Sequence, residues 1–332
     1  MTLSPPAPPA DRDLVVETAG LTKRYGQILA VDSLTLEVPR GGVFGLLGPN
    51  GSGKTTTMGM LLGLLKPTSG SMRLLGQGVD EAHRQILRRI GAIVETPAFF
   101  PYLSGRANLQ YFQGISRRGS PDEIDRLLKL VDLEGRAKSK FSTYSLGMKQ
   151  RLGIAYVLLG DPELVFLDEP TNGLDPAGMA EVRDLIKSLG TEGRTVVLSS
   201  HLLHEVEQVC DRVAILSRGK LIIQGNVKDL LRQQGAVRLK TTDDVSARQA
   251  LAALSWVTGV AVDDGYIVAT APPERSGDIS RALAKHDVYV TEMAPVRLSL
   301  ERFFLEVTGD DSAPTPGPDG KGQKAAKEAR KK

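Results

Sequence analysis

The stretch GVFGLLGPNGSGKTTT, residues 42–57, decides the fold that we predict for this chain. It begins with a short apolar run, passes through a glycine-rich segment, and ends on a lysine and three threonines. The apolar run is typical of a buried strand, and residues 54–64 have a helical pattern. The segment between them fits G-x-x-x-x-G-K-[ST] in the strand-loop-helix context that a phosphate-binding loop requires.

The residue types of this loop suit a bound polyphosphate. Glycines let successive backbone N–H groups point inward, and the following helix presents its positive end to the same anion. We expect Lys54 to reach the β- and γ-phosphates and the Thr55 hydroxyl to ligate Mg²⁺. The alternative is a purely structural glycine turn. The residues expected to bind the nucleotide are Gly48, Pro49, Asn50, Gly51, Ser52, Gly53, Lys54, Thr55 and Thr56.

A second acidic motif supplies the carboxylate that such a loop needs for its metal. In LVFLDE, residues 164–169, four apolar residues predict a buried strand that ends on Asp168. We expect Asp168 to face the Mg²⁺, and Glu169 to polarise a water for in-line attack on the γ-phosphate. An apolar strand ending in Asp-Glu is weak evidence alone, but it is much stronger downstream of a phosphate-binding loop.

Strand-like and helical segments alternate along most of the chain, which predicts an α/β domain on a largely parallel sheet. The segment from about 100 to 160 differs, because it is mostly helical and looks like an insertion between two strands. The predicted strands are LVVETAGL, LTLEV, GVFGLLG, IGAIVE, ELVFLDEP, TVVLSSH and VAILSRGKLIIQG. The predicted helices cover residues 54–64, 121–132, 147–159, 178–189 and 203–209.

A different pattern begins near residue 235. The order of strand-like and helical segments is β-α-β-β-α-β, which is typical of a small ferredoxin-like α+β domain. We therefore divide the chain into a domain at 14–234, which carries the phosphate-binding loop, and an accessory domain at 235–310. The accessory domain has no clustered chemistry, so packing or dimer contact is the main interpretation and a regulatory ligand site the alternative.

The net charge of +3 lies in the carboxy-terminal tail. Residues 311–332 carry six basic and three acidic residues, so the remaining body is neutral and no specific nucleic-acid partner is expected. This tail and residues 1–13, which are rich in proline, are predicted to be disordered. No apolar run is long enough to cross a membrane, no secretory signal is evident, and Cys210 alone permits no internal disulfide.

Further motifs resemble those of the ABC ATPases, over roughly residues 14–230. YSLGMKQR at 144–151 resembles the family's signature motif, and GLD at 173–175 resembles its D-loop. His201 follows a predicted strand, as the family's switch histidine does, and Tyr25 is similar to the aromatic residue that stacks on adenine. The resemblance implies an ATP-binding, ATP-hydrolysing subunit of an ABC transporter with ATP and Mg²⁺ as ligands.

The resemblance also implies how two copies work together. Two such domains pair head to tail as a homodimer or heterodimer, so that Ser145 and Gly147 of one copy close on the γ-phosphate held by Lys54 of the other. Binding of ATP then drives a separate integral membrane permease, which places the subunit in the cytoplasm on the inner face of the membrane. The signature residues are Ser145, Leu146, Gly147, Met148, Lys149 and Gln150, and the D-loop residues are Gly173, Leu174 and Asp175.

One position departs from the family pattern, because Glu95 stands where a glutamine is usual. A carboxylate can also ligate Mg²⁺, so we expect Glu95 in the metal and catalytic site together with Thr55, Asp168, Glu169 and His201. Glutamate there resembles the ATP subunits of bacitracin- and lantibiotic-type exporters, which implies export of a drug, antibiotic or peptide. Replacing it with glutamine should preserve ATP binding and change turnover.

The apolar residues of 99–106 follow this position and are expected to contact the permease, with a role as internal core of the insertion as the alternative. Two other function classes are the alternatives: a soluble ABC protein acting in translation or DNA maintenance, and a non-transport regulator that binds ATP. The chain has a single phosphate-binding loop and no sustained heptads, which disfavours the first class.

Overall fold

The computed structural model describes residues 13–79, 85–94, 98–120, 122–232 and 235–296, together with Leu300 and Phe304. The strands are β1 (Leu14–Tyr25), β2 (Ile28–Leu34), β3 (Glu37–Pro39), β4 (Gly42–Leu47), β5 (Ser69–Leu74), β6 (Gln77–Gly78), β7 (Ile90–Ile93), β8 (Leu164–Asp168), β9 (Thr195–Ser200), β10 (Arg212–Ser217), β11 (Lys220–Asn226), β12 (Ala236–Thr241), β13 (Gly259–Asp263), β14 (Tyr266–Thr270) and β15 (Val290–Val296). The α-helices are α1 (Lys54–Leu61), α2 (Gly105–Ser116), α3 (Glu123–Leu130), α4 (Leu146–Val157), α5 (Pro176–Thr191), α6 (Leu203–Val209), α7 (Val227–Arg232), α8 (Asp244–Ala252) and α9 (Ser276–Ala284). The two predicted tails, apart from Asp13, and Glu95 lie outside the described residues.

The central sheet has the order β11-β10-β4-β9-β8-β7, and all its neighbours are parallel except β10 and β11. Its inner strands β10, β4, β9 and β8 are buried on both faces, which explains their continuous apolar sequences. In β8, for example, Val165 and Leu167 join the core cluster on one face, while Leu164 and Phe166 join the cluster on the other. The predicted α/β domain on a largely parallel sheet is confirmed.

A second, antiparallel sheet has the order β2-β1-β5-β6, with β3 paired to β1. Strands β2 and β5 were not predicted from the sequence. In β5 only Met72 and Leu74 are buried, so the strand has no continuous apolar run to mark it. The β2 segment ILAVDSL carries Asp32 and Ser33 within it, which interrupts its apolar pattern in the same way.

The predicted helical insertion is present as α2, α3 and α4, and its one described strand-like feature is an isolated bridge between Ser104 and Lys140. Phe99 is buried, and its ring packs edge-on against Phe141 with centroids 5.1 Å apart. For Phe99, the alternative of a core residue is therefore correct. Tyr102 is different, because 66% of it is exposed.

The accessory domain has a four-stranded sheet of order β13-β14-β12-β15, and every pair of neighbours is antiparallel. With α8 and α9 inserted in chain order, this is the predicted ferredoxin-like topology. Leu300 and Phe304 pack against a core cluster of the central sheet rather than the accessory core. No described helix has the length and apolar character needed to span a membrane.

Candidate nucleotide site

The glycine-rich loop connects β4 to α1 through two positions that accept no other residue easily. A Cβ on Gly48 would lie 2.3 Å from the carbonyl oxygen of Leu216 and 2.5 Å from Ser52 Oγ. Gly53 precedes α1 in a left-handed conformation, with φ at 102°. The sequence therefore bends here because only glycine fits the close approach and the positive φ.

The amino terminus of α1 fits a bound anion. The helix has no side-chain cap and no acidic residue in its first turn, so its free N–H groups are available to a phosphate. Ser52 Oγ is buried and has no hydrogen-bond partner among the described residues. The cradle and this unpaired hydroxyl agree with the predicted phosphate site.

Lys54 is buried at the base of the loop, with 5% of its side chain exposed. Its Nζ donates to the carbonyl oxygens of Gly48 at 2.7 Å and Pro49 at 3.3 Å. The same nitrogen lies 3.5 Å from Glu169 Oε1. A buried ammonium group between the loop and a carboxylate is well placed to meet a polyphosphate.

Asp168, at the end of β8, faces the loop from the neighbouring part of the sheet. Thr55 Oγ1 donates to its carboxylate, at 3.2 Å to Oδ2 and 3.4 Å to Oδ1. The hydroxyl of Ser199 also donates to Asp168 Oδ1, and it accepts the backbone N–H of Glu169 at 3.0 Å. Ser199 is not among the residues predicted from the sequence, although its place near the end of β9, two residues before His201, was an available signal.

Glu169 turns away from the strand with a left-handed backbone, φ 47°, which is uncommon for a residue other than glycine. Its Oε2 lies 2.9 Å from His201 Nδ1, and its Oε1 faces Lys54. The tertiary structure thus brings together Lys54, Glu169 and His201, which come from three separate segments of the chain. Strained backbones of this kind often occur where a side chain must be aimed.

The signature motif begins helix α4, where the Ser145 hydroxyl accepts the N–H of Met148 at 3.2 Å. Leu146 is 46% exposed, and among the described residues no atom beyond the chain neighbours of Gly147 and the backbone of its own helix lies within 4 Å of its Cβ position. Farther along α4, Gln150 Nε2 donates to the Pro170 carbonyl at 3.1 Å. The motif therefore has an open surface at Leu146 and Gly147, and its Gln150 is hydrogen-bonded to Pro170, the residue after Glu169.

The predicted D-loop lies against this signature. A Cβ on Gly173 would lie 3.3 Å from Leu146 Cδ2, and Leu174 packs against the core cluster. Asp175 caps helix α5 by accepting the N–H of Gly178 at 3.0 Å, with Pro176 in the first turn. Signature and D-loop form one surface.

Tyr25 ends β1 and pairs across the hairpin with Ile28 in β2. The same hairpin borders the glycine-rich loop, since a Cβ on Gly53 would lie 2.7 Å from the Ala30 carbonyl oxygen. The Tyr25 ring is 45% exposed, with Lys23 Nζ 4.9 Å from its centroid. The Tyr25 side chain is therefore accessible on the hairpin that borders the loop.

The family of this chain follows from its similarity to known proteins. Residues 31–172 match the family model described as ABC transporter. The bacitracin transport ATP-binding protein BcrA of Enterococcus faecalis is 38% identical over 299 residues, 90% of this chain and 97% of that protein. The chain belongs to the ABC transporter ATP-binding proteins. It is accordingly an ATPase coupled to transport, in a family whose ATP-binding subunits dimerise and work with membrane permeases.

Two further relatives extend the match of this ABC ATPase. The daunorubicin resistance ATP-binding protein DrrA3 of Streptomyces coeruleorubidus is 37% identical over 311 residues, 90% of this chain and 97% of that protein. The solved structure of cbiO1 from Clostridium perfringens, part of the ABC transporter complex cbiONQ, is 30% identical with a TM-score of 0.60, covering 66% of this chain and 90% of that one. None of these comparisons supports a role in translation, DNA maintenance or regulation.

Proposed function

We propose that the ABC ATPase binds ATP between the glycine-rich loop and the β1–β2 hairpin. The N–H groups of the loop and of the α1 amino terminus would bind the phosphates, with Lys54 contributing its buried charge. Tyr25 would stack on adenine, since its ring is accessible beside the loop. The main support for this proposal is that five polar side chains converge at the carboxyl ends of parallel strands, namely those of Lys54, Thr55, Asp168, Glu169 and His201.

The Thr55 hydroxyl and the Asp168 carboxylate would hold Mg²⁺. Both are hard oxygen ligands, and they already lie within hydrogen-bond distance of each other. Bound Mg²⁺ would neutralise charge on the transferred phosphoryl group. Ser199 orients Asp168 by donating to its Oδ1, so we assign it a supporting role. Glu95 remains a proposed third ligand on the basis of its sequence position.

Glu169 would act as the general base that accepts the proton of the attacking water. Its carboxylate sits between Lys54 and the His201 ring, so both residues restrict its orientation. His201 would also donate to the γ-phosphate. General-base catalysis of this kind contributes about 100- to 10,000-fold to the rate.

The signature surface would complete the site of a second copy. Ser145 lies at the amino terminus of α4, whose N–H groups offer a second anion site, and Gly147 leaves room for a phosphate to approach. In a head-to-tail dimer, this surface would close on the ATP held by Lys54 of the partner. Residues Leu146, Met148, Lys149 and Gln150 would frame that contact.

The proposed cargo class is a drug, antibiotic or peptide exported by the permease. This proposal is supported by the names of BcrA and DrrA3, the bacitracin transport and daunorubicin resistance proteins. Both proteins align with this chain over nearly their whole length. Tyr102 is the most exposed aromatic residue among the described residues of the helical insertion and would contribute to the permease contact. The subunit would therefore sit on the inner face of the membrane through its permease.

The test first searches the genes adjacent to that of this chain for one encoding a hydrophobic, multi-helix membrane protein. The chain is then co-expressed with that candidate permease in a bacterial host sensitive to bacitracin and daunorubicin. We expect membrane-dependent stimulation of ATP hydrolysis and raised tolerance to at least one of the two drugs. The Glu169→Gln variant serves as the matched control and should give neither effect. Stimulated hydrolysis without any change in tolerance to either drug would contradict the cargo class, and absence of hydrolysis would contradict the proposed catalytic site.

A further inference from the structure

A buried ion pair joins helix α5 to helix α6. Arg183 Nη1 lies 3.3 Å from each carboxylate oxygen of Glu205. The two side chains are 19% and 8% exposed, so this pair is far more enclosed than an ordinary surface salt bridge. A carboxylate buried to this extent requires a charged partner, and the pair therefore fixes the separation of the two helices.

The two helices lead to opposite sides of the nucleotide site. Helix α5 begins directly after the cap residue Asp175, in the D-loop, where a Cβ on Gly173 would lie 3.3 Å from the signature residue Leu146. Helix α6 begins at Leu203, two residues after His201. Arg183 lies two turns into α5, whereas Glu205 lies in the first turn of α6. The pair therefore holds α6 close to the point where the chain leaves His201.

The pair also borders the segments that carry the reacting groups. Arg183 and Glu205 line a small cleft together with Pro170, Thr171 and Ser200. Pro170 follows Glu169 directly in the chain, and Ser200 directly precedes His201. A shift of either helix would therefore be transmitted to the hydrogen bond between His201 Nδ1 and Glu169 Oε2.

We propose that Arg183 and Glu205 are a positioning pair that couples the signature and D-loop surface to the Glu169–His201 hydrolysis site. This inference rests on the proposed function of those residues. Neither member of the pair needs to touch ATP. A second basic side chain near Glu205 is that of His204, whose Nδ1 lies 3.4 Å from Oε1, but it is 66% exposed and cannot replace the enclosed guanidinium.

The first test compares Arg183→Met with a matched control, Arg194→Met, in the full-length chain. Arg194 is 15% exposed and pairs with Asp161 and Glu192, but it precedes β9 whereas His201 follows that strand. We expect Arg183→Met to lower kcat about tenfold with KM for ATP within about twofold, and Arg194→Met to leave kcat unchanged. The thermal shift produced by ATP in EDTA should be the same in all proteins, since binding is retained.

Charge reversal then separates positioning from simple stability. The Arg183→Glu/Glu205→Arg double variant should recover most of kcat, while each reversed single variant should lose it. Hydrogen exchange of the peptide covering residues 201–209 gives a readout independent of turnover. We expect faster exchange there in Arg183→Met, restoration in the double variant, and no change in Arg194→Met.

The inference is overturned if Arg183→Met leaves both kcat and this exchange unchanged. It is equally overturned if Arg194→Met loses as much kcat as Arg183→Met does for the same fall in Tm. Failure of the proposed function has a different signature, because wild-type protein would then not hydrolyse ATP at all. In that case the exchange data alone still show whether the pair holds the 201–209 segment.

Discussion

The central sheet and the accessory sheet arrange their polar residues in opposite ways. In the parallel sheet, β4, β8 and β9 all end at one edge, so Gly48, Asp168 and His201 follow strands that point in the same direction. In the accessory sheet every neighbour is antiparallel, and strand ends alternate between two edges. Parallel topology gathers distant segments into one site, while the antiparallel sheet disperses them.

The two regions also differ in how their charges are paired. On the accessory sheet, Tyr266 donates to Glu292 at 2.8 Å, and Arg238 and Lys240 lie 5.0 and 4.5 Å from its ring centroid. These contacts are exposed or half-buried, and they span the three adjacent strands β14, β12 and β15. At the nucleotide site Lys54 is almost fully buried instead, a state that is unfavourable unless the charge serves binding or pairing. The comparison predicts that ATP chemistry depends on the first region and little on the second.

The largest expected effect is on hydrolysis when the proposed base is removed. Glu169→Gln keeps the size of the side chain but cannot accept the water proton, so kcat should fall about 100- to 10,000-fold. ATP binding should persist and the ATP-bound dimer should accumulate, as measured by light scattering. Substantial remaining hydrolysis would assign the base to another residue.

Lys54→Met should weaken ATP binding by about 2 to 5 kcal/mol, because it removes the buried charge that faces the phosphates. Isothermal titration with ATP in EDTA measures the change. Lys240→Met on the accessory sheet is the matched control and should leave ATP affinity unchanged. Equal losses in both variants would erase the distinction between the two regions.

Leu239→Ala should destabilise the accessory domain by about 3 kcal/mol, since Leu239 is fully buried in its core. Trp256 is the single tryptophan and packs on that core, so its fluorescence reports unfolding in urea. The kcat and KM for ATP should stay within about twofold of wild type at low urea concentration. A coordinate loss of ATPase activity would instead show that the accessory fold supports the nucleotide site.

The smallest expected effect concerns Glu163, which accepts hydrogen bonds from Arg89 at 2.6 and 2.8 Å. These bonds, together with Arg40, lower the pKa of Glu163 from its ordinary value of 4.5. The stability from this pair is therefore present above that value and lost as the pH falls through the folded pKa. Because Glu163 is 42% exposed, Arg89→Met should cost about 0.5 to 1 kcal/mol at neutral pH.

Urea unfolding followed by circular dichroism, across pH 7 to pH 3, measures this difference. We expect the gap between wild type and Arg89→Met to close in acid and to shrink in about 1 M salt. A gap that stays constant over this range would assign the stabilisation to packing of the arginine stem.

Much of the fold followed from local sequence patterns, and the failures have clear causes. Buried strands such as β8 were found because their apolar runs are continuous, and α1 because it follows the loop. Strands β2 and β5 were missed because half-exposed antiparallel strands carry a weaker signal. Ser199 and the Arg183–Glu205 pair were missed because their partners lie on other segments, where spacing along the chain gives no information.

The sequence by itself determined the phosphate-binding loop, since a glycine turn between strand and helix creates an anion site from local backbone geometry alone. It also determined the family, because the motifs that resemble those of the ABC ATPases follow one another along the chain in the family's order. Only the tertiary structure decided which groups meet: parallel strands bring Thr55 to Asp168, and Glu169 between Lys54 and His201. The pairing of Arg183 with Glu205 is tertiary for the same reason, because packed helices set the distance between charges that the chain separates.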